Sequence, residues 1–182
     1  MKMYITIEKA NLSKTLSHLY RIVEKKSTIP VLSNIKIEAN DNLKFTATNI
    51  DLEIIEELEA TINEKGSTTI PAHILYDIVR KLPDNDITVE VDASNKTTIT
   101  CEKAKFNIIG KSGEDFSHLP KIERSESVIL SQYTLKEVVR QTIFSIADND
   151  TNKIMTGELF EINNDQLRVV SLDGHRISIR KI

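Results

Sequence analysis

Lys14, His18, Arg21 and Lys25 are spaced four, three and four apart, which brings them to one face if that stretch is helical. A row of cations of this kind can neutralise nucleic-acid phosphates with release of counterions. Its other reading is the solvated face of an ordinary surface helix. Asp173-Gly174-His175-Arg176 invites a catalytic or metal-binding reading. Asp-Gly is a turn former, however, and one His beside one Asp lacks the third ligand or the nucleophile that such chemistry requires. His18, His73 and His118 fall in different parts of the chain, and five glycines form no phosphate-cradling loop. Cys101, the one cysteine, excludes an internal disulfide and a Cys-rich zinc site, and its strand-like surroundings suit a buried thiol. No metal, cofactor or catalytic residue is expected.

The elements that carry these residues belong to an ordinary globular chain. Over 182 residues, 40% are hydrophobic and 28% charged, enough apolar material for a core and poor grounds for disorder or coiled coil. The net charge of −3 is unevenly spread. Residues 1–50 carry eight basic and four acidic side chains, residues 51–100 four and eleven, and residues 101–182 twelve of each. Bulk attraction to polyanions is thereby excluded, and any nucleic-acid contact must be local. No apolar run approaches a membrane-spanning length, and the single cysteine suits a reducing compartment. The cytoplasm is the expected location.

Period-two alternation marks a strand from Met3 to Ile7, and Leu12, Leu16, Leu19 and Val23 recur at helical spacing from Lys9 to about Lys25. Three strands follow around Ile35 and Ile37, Leu43 to Ala47, and Leu52 and Ile54, the first two joined by a turn at Asn40-Asp41-Asn42. A strand from Ser67 to Ile70, a helix opened by Pro71 and closed by Pro83, and strands at Ile87–Val91, Thr97–Cys101 and Ala104–Ile109 repeat that order. A third copy starts at Val128–Leu130, with Ser131 capping a helix through Leu135, Val138, Val139, Thr142, Ile143 and Ile146 whose other face carries Lys136 and Arg140. Its strands are expected near Glu158–Ile162, Leu167–Leu172 and His175–Ile182. Asn163-Asn164-Asp165-Gln166-Leu167 answers Ala39-Asn40-Asp41-Asn42-Leu43, and Leu172-Asp173 answers Thr48-Asn49. One such unit cannot cover its own apolar face and must lie on a copy. Two units make a domain, so the chain holds one domain and half of another.

The ordered set Thr28-Ile29-Pro30-Val31-Leu32-Ser33-Asn34, Ile70-Pro71-Ala72, Asp115-Phe116-Ser117-His118-Leu119-Pro120, Phe144-Ser145-Ile146-Ala147 and Leu172-Asp173-Gly174-His175-Arg176 resembles the bacterial sliding clamps, the beta subunits of DNA polymerase III, in their N-terminal part. The resemblance implies an α+β DNA-clamp fold of repeated strand-helix-three-strand units, helices on one side and antiparallel sheets on the other. It implies clamp domain 1 over residues 1–124 and the first half of clamp domain 2 over 125–182, with the third domain absent. In the family, two protomers of three domains close into a ring around duplex DNA. The helices line the hole, and the acidic stretch Asp51, Glu53, Glu56, Glu57, Glu59 and Glu64 would face outward.

The same resemblance implies DNA contacts at Lys14, Arg21, Lys25, Lys26 and Ser27, at Lys136 and Arg140, and in the loop of Asn149, Asp150, Asn152 and Lys153. That loop carries less charge and fewer aromatics than in some relatives. It implies a pocket for short peptides of the replicative polymerase and clamp loader at Met155, Leu172, Gly174, His175, Arg176 and Ile177. A ring-closing edge would hold Lys103, Lys105, Phe106 and Ile108; without the resemblance, Phe106 and Ile108 read as core. The implied function is a non-catalytic processivity factor that tethers the polymerase. The family belongs to a nucleotidyltransferase holoenzyme, yet nothing in these residues could transfer a nucleotide. The alternatives are a peptide-binding adaptor that never meets DNA, and a hydrolase resting only on His175 and Asp173. Were Ile182 the end of the protein, the half domain would leave Val138, Val139 and Ile143 uncovered, favouring aggregation or pairing with another copy.

Overall fold

The computed structural model describes residues 2–23, 29–49, 52–116 and 127–182. The chain divides into two compact units, residues 1–121 and 122–182; the boundary expected at 124/125 lies outside the described residues. In the first unit the alternation of Met3, Ile5 and Ile7 forms strand β1 (Met3–Glu8), which runs straight into helix α1 (Lys9–Leu19). A meander of β2 (Asn34–Ala39), β3 (Leu43–Thr48) and β4 (Glu53–Leu58) follows, and then a short β5 (Thr61–Glu64). The order begins again with β6 (Gly66–Pro71), α2 (Ala72–Lys81), β7 (Asp86–Val91), β8 (Lys96–Cys101), β9 (Ala104–Ile109) and the two-residue β10 (Lys111–Ser112). Neither β5 nor β10 is expected from the sequence. Each is too short, and too poor in apolar residues, for a period to show.

The two repeats are not laid side by side. They exchange their first strands. One antiparallel sheet runs β5-β1-β7-β8-β9 and the other β10-β6-β2-β3-β4, so β1 sits in the sheet of the second repeat and β6 in the sheet of the first. The register pairs Met3 with Val91 and Ile7 with Ile87 in one sheet, and Ile35 with Ile70 in the other. The short strands β5 and β10 cover the outer edges of the two exchanged strands. Where the exchanged strands approach each other, Gly66 is required. A Cβ there would lie 2.6 Å from the Lys2 carbonyl oxygen and 2.9 Å from the Met3 Cβ, closer than backbone can be pushed.

A shared core results. Met3, Ile5 and Ile7 of β1, Leu12, Leu16 and Leu19 of α1, Ile35, Ile37 and Phe45 of the meander, and Leu75 and Val79 of α2 belong to one buried cluster with Ile87, Val89 and Ile99. Helices α1 and α2 lie against each other, and Tyr20 stacks on Tyr76 with ring centroids 4.8 Å apart. That stack coincides with the end of α1. The helix expected to reach about Lys25 stops at Leu19, and the amides of Arg21 and Ile22 close a tighter turn onto the carbonyls of His18 and Leu19. The β-branched pair Ile22-Val23 offers little helix propensity against the gain from burying Tyr20.

The second unit contains helix α3 (Gln132–Thr142) and a three-stranded antiparallel sheet of β11 (Leu159–Asn163), β12 (Gln166–Leu172) and β13 (Ile177–Lys181). Ser131 caps α3, its hydroxyl oxygen accepting from the Thr134 amide at 3.0 Å. Val138 is buried with Leu167 and Val169, which corrects the expectation that it is left uncovered: the helix covers its own sheet on that side. Val139 is half-buried, and Ile143 remains exposed. Residues 128–130, expected as a strand, form none. In the first unit the equivalent strands join the meander of the other repeat, β1 beside β7 and β6 beside β2, and residues 127–182 contain one repeat.

Substitution of Ile5 or Ile70 by Ala, each removing a buried side chain from an exchanged strand, is expected to destabilise the first unit by about 2–5 kcal/mol. Ile55→Ala on the exposed face of β4 is expected to stay within about 0.5 kcal/mol. Urea unfolding of the variants measures both.

Candidate functional site

Two kinds of surface come out of this fold. The first is cationic. Lys14 is exposed on α1, and Arg21 is exposed in the turn beyond its end. His18 does not join them as an open cation. Its Nδ1 lies 2.7 Å from Glu56 Oε1, and the hydroxyl of Thr15 donates to Glu56 Oε2 at 2.7 Å. Strand β4 alternates, so Ile54, Glu56 and Leu58 turn to the helix side while Glu53, Ile55 and Glu57 turn away. The acidic stretch therefore does not share one outward face, as the sequence suggests. Glu57 is held by Lys44 at 2.9 Å and by Asn42 at 3.0 Å, and these donors, Lys44 first, hold its carboxyl below the usual range. Lys25, Lys26, Ser27 and Asp51 lie outside the described residues.

In the second unit Lys136 and Arg140 are exposed on α3. Arg140 grips Glu137 with two donors, Nε to Oε1 at 3.0 Å and a terminal nitrogen to Oε2 at 2.8 Å. That fork lowers the Glu137 carboxyl and raises the guanidinium in pKa, and it offsets part of the positive charge on this face. Past the helix, Asp150 Oδ1 accepts from the Asn152 amide at 2.7 Å and Asn152 Oδ1 from the Ile154 amide at 3.2 Å. Met155 joins the same turn, its amide donating to the Asn152 carbonyl while its own carbonyl accepts from Ala147 at 2.9 Å. Asn149, Asn152 and Lys153 are exposed along this loop, and so is Ile154.

The second kind of surface is apolar with polar punctuation, at the β12–β13 turn. Leu172 and Ile177 are cross-strand partners. Between them Asp173 Oδ1 accepts from the amides of His175 at 3.0 Å and Arg176 at 2.9 Å, while Oδ2 accepts from Arg176 Nε at 2.8 Å. These donors, the His175 amide first, hold the Asp173 carboxyl below its ordinary range. The carboxylate is thus committed to the turn and is not poised as a base or nucleophile. Gly174 has φ +83°, a left-handed backbone that suits glycine at this corner. The equivalent corner after β3 is built alike, with Asn49 Oδ1 accepting from the Leu52 amide at 3.0 Å. Leu172 is half-buried, and Ile177 and His175 are exposed.

The edge strand β9 corrects one expectation. Lys103 and Lys105 are exposed, and Phe106 is 40% exposed at the open side of the sheet, but Ile108 at 5% faces the core opposite Thr97. Ile109, 82% exposed, is the apolar group that β9 offers outward, and strict alternation from the buried Ile108 could have found it. Cys101 is buried, its thiol pushed up in pKa by burial. A recess lined by Glu8, Lys9, Asp84, Asp86 and Glu102 is acidic, and its lysine is tied to Asp84 at 2.7 Å, so it does not suit a phosphate. Among the described residues no group of His, Cys, Asp and Glu is placed to hold a metal ion. Among them, too, no helix is long and apolar enough to cross a membrane.

Comparison with known proteins gives the same division of the chain. The family model of the DNA polymerase III beta subunit N-terminal domain matches residues 3–120, and that of its central domain matches residues 129–182. The beta sliding clamp of Synechocystis is 34% identical over 97% of this chain and 48% of its own length. A Eubacterium rectale crystal structure described as a DNA polymerase III beta subunit superposes with a TM-score of 0.92 at 57% identity, covering 99% of this chain and 49% of that one. The DNA polymerase sliding clamp of Bacillus subtilis gives 0.94 at 30% identity, covering 100% and 50%. The chain spans about half the length of the relatives it matches. Two family models in tandem, and the interlaced domain followed by a third repeat, make this chain a member of the DNA polymerase III beta subunit, or beta sliding clamp, family.

Proposed function

We propose that this chain is the N-terminal part of a DNA sliding clamp, a non-catalytic processivity factor that encircles duplex DNA and tethers the replicative polymerase. The observation that carries the reading is the placement of exposed Lys14 on α1 and exposed Lys136 and Arg140 on α3, helices of a fold that matches sliding clamps along its whole length. Enclosure changes what the protein must do with charge. A ring holds duplex by topology, so its inner helices need only keep the phosphates centred, and tight cationic binding would hinder sliding. The pairing of His18 with Glu56 and of Arg140 with Glu137 fits such a restrained surface. On this reading Asn149, Asn152 and Lys153 add hydrogen bonds and one charge beside the duplex, and Lys25 and Lys26 extend the row from α1.

The β12–β13 corner serves the partners. Leu172, Ile177 and Met155 supply apolar anchors, and the Arg176 side chain, steered by Asp173, and His175 supply polar contacts for a short peptide of the polymerase or clamp loader. The β9 edge, with Lys103, Lys105, Phe106 and Ile109, would close a homodimeric ring. The chain would work in the bacterial cytoplasm with the replication machinery. It would use no cofactor.

Lys14→Glu, Arg21→Glu, Lys136→Glu and Arg140→Glu together, placed in a ring-forming protein that carries these residues, are expected to shorten retention on nicked circular DNA at moderate salt. The salt dependence of binding should fall by about one unit of logarithmic slope for each phosphate that is no longer neutralised. Unchanged retention would leave these side chains as solvated surface, and failure to escape after the circle is linearised would argue against enclosure. Ile177→Asp is expected to weaken binding of a polymerase-derived clamp-binding peptide by about tenfold or more, because a carboxylate then faces the apolar anchor. Fluorescence anisotropy measures the change, and equal affinity for both proteins would remove Ile177 from the pocket.

A further inference from the structure

The three helices repeat more than their packing. Counted from the first residue of each helix, Leu12 and Leu16 of α1 and Leu75 and Val79 of α2 stand at the fourth and eighth positions and are buried. The sixth position lies about 200° around the axis from the fourth, on the crest of the helix opposite its buried side. It holds Lys14 in α1, Asp77 in α2 and Glu137 in α3. The ninth position is its neighbour on the same crest, and it holds Ser17, Arg80 and Arg140. Each crest arginine meets the acid that precedes it. A terminal nitrogen of Arg80 lies 3.7 Å from Asp77 Oδ1, and Arg140 forks onto Glu137 at 3.0 and 2.8 Å. The two arginine side chains are also alike in exposure, 60% and 64%. The pairing is therefore a property of the crest itself, found alike in the interlaced first unit and in the single repeat.

The two arginines carried within α1, α2 and α3 are both tied in this way. Lys14 and Lys136, on the same helices, have no carboxylate at ion-pair distance among the described residues. The difference follows the chemistry of the two cations. A guanidinium grips phosphate with two parallel hydrogen bonds, whereas an ammonium meets it as a mobile point charge. The group able to hold a phosphate hardest is thus the one given an acid. We propose that Asp77 and Glu137 are release groups for DNA: each carboxylate competes with phosphate for its arginine, so that the cation passes between the two and the duplex is never held in one register. The proposal rests on the reading of the chain as part of a ring around duplex DNA, and gives that ring's inner surface a working role for acids. An exposed ion pair holds its partners by a factor of about two to five, enough to draw an arginine back from a phosphate and too little to keep it from one.

In a ring-forming protein that carries these residues, Asp77→Asn with Glu137→Gln is expected to slow one-dimensional diffusion along stretched duplex DNA by about twofold or more. Single-molecule tracking measures it. The salt dependence of binding should steepen by about one unit of logarithmic slope for each arginine freed to meet a phosphate. Adding Arg80→Gln and Arg140→Gln to that variant should return diffusion to the native value or faster, because the gain in grip runs through the arginines. Glu57→Gln with Glu90→Gln removes as much negative charge from strands β4 and β7 and should leave diffusion unchanged. Thermal denaturation checks that each variant remains folded. Native diffusion and slope after loss of the Asp77 and Glu137 carboxylates would overturn the proposal, the two acids then serving only to steady their helices. Equal slowing by the Glu57 and Glu90 variant would overturn it as well, since net charge alone would be the cause. The reading of the ring is tested separately by the reversals at Lys14, Arg21, Lys136 and Arg140: shortened retention there together with unchanged diffusion here removes the release groups and leaves the ring.

Discussion

The backbone pairing of β1 with β7 and of β6 with β2 is the constraint on which the rest of the first unit depends. Each strand delivers its buried row, Met3, Ile5 and Ile7 or Thr68 and Ile70, into a sheet built by the other repeat, so neither repeat has a core of its own. The helices that follow directly from these strands are fixed in the same act. Lys9 begins α1 one residue after β1 ends, and Ala72 begins α2 one residue after β6 ends. Where Lys14 and Arg21 stand is thus decided by a strand that belongs to the opposite sheet. The tolerance for change at the crossing is small, as the space around Gly66 demonstrates.

Much of this was legible in the residues. Alternation at Met3 to Ile7 and helical spacing at Leu12, Leu16 and Leu19 mark the first strand and helix, and the Asn-Asp turns mark both hairpins, but their gap-free match is one residue out: Ala39 pairs with Leu43 across three residues, whereas Asn163 pairs with Gln166 across two. The exchange of strands was not legible, because a periodic pattern reveals which side of a strand is apolar and says nothing about which sheet receives it. The same limit explains residues 128–130. Val128, Ile129 and Leu130 carry strand-like chemistry, but a strand exists only where a partner edge does. The end of α1 departs from its sequence pattern for a different reason: the Tyr20–Tyr76 stack is a tertiary contact that outweighs local propensity.

The candidate site was legible in part. Spacing placed Lys14 and Arg21 on one side, yet it could not reveal that His18 would meet Glu56, 38 residues away and on the helix side of β4. Ile108 was assigned to an edge by position in the family pattern, whereas the buried row of Thr97, Ile99 and Cys101 on the neighbouring strand pulls it inward. Asp173 and His175 carried the composition of a catalytic pair. In the folded chain the carboxylate satisfies three donors of its own turn, which is a structural task that composition alone does not separate from chemistry. That turn also orients Arg176, so an acid with no chemical role still governs where a cation points.

The pairing of Met3 with Val91 has a consequence for synthesis. A nascent chain emerges from its N-terminus at about 5–20 residues per second, so the first strand waits for several seconds before its neighbour exists. During that interval an amphipathic segment ending in Ile7, and a helix bearing Leu12, Leu16 and Leu19, travel unprotected beyond the ribosome. Pairings of such long sequence separation also form slowly. The polypeptide therefore reaches its native state only after the second repeat has been translated, and until then these apolar rows stay open to water.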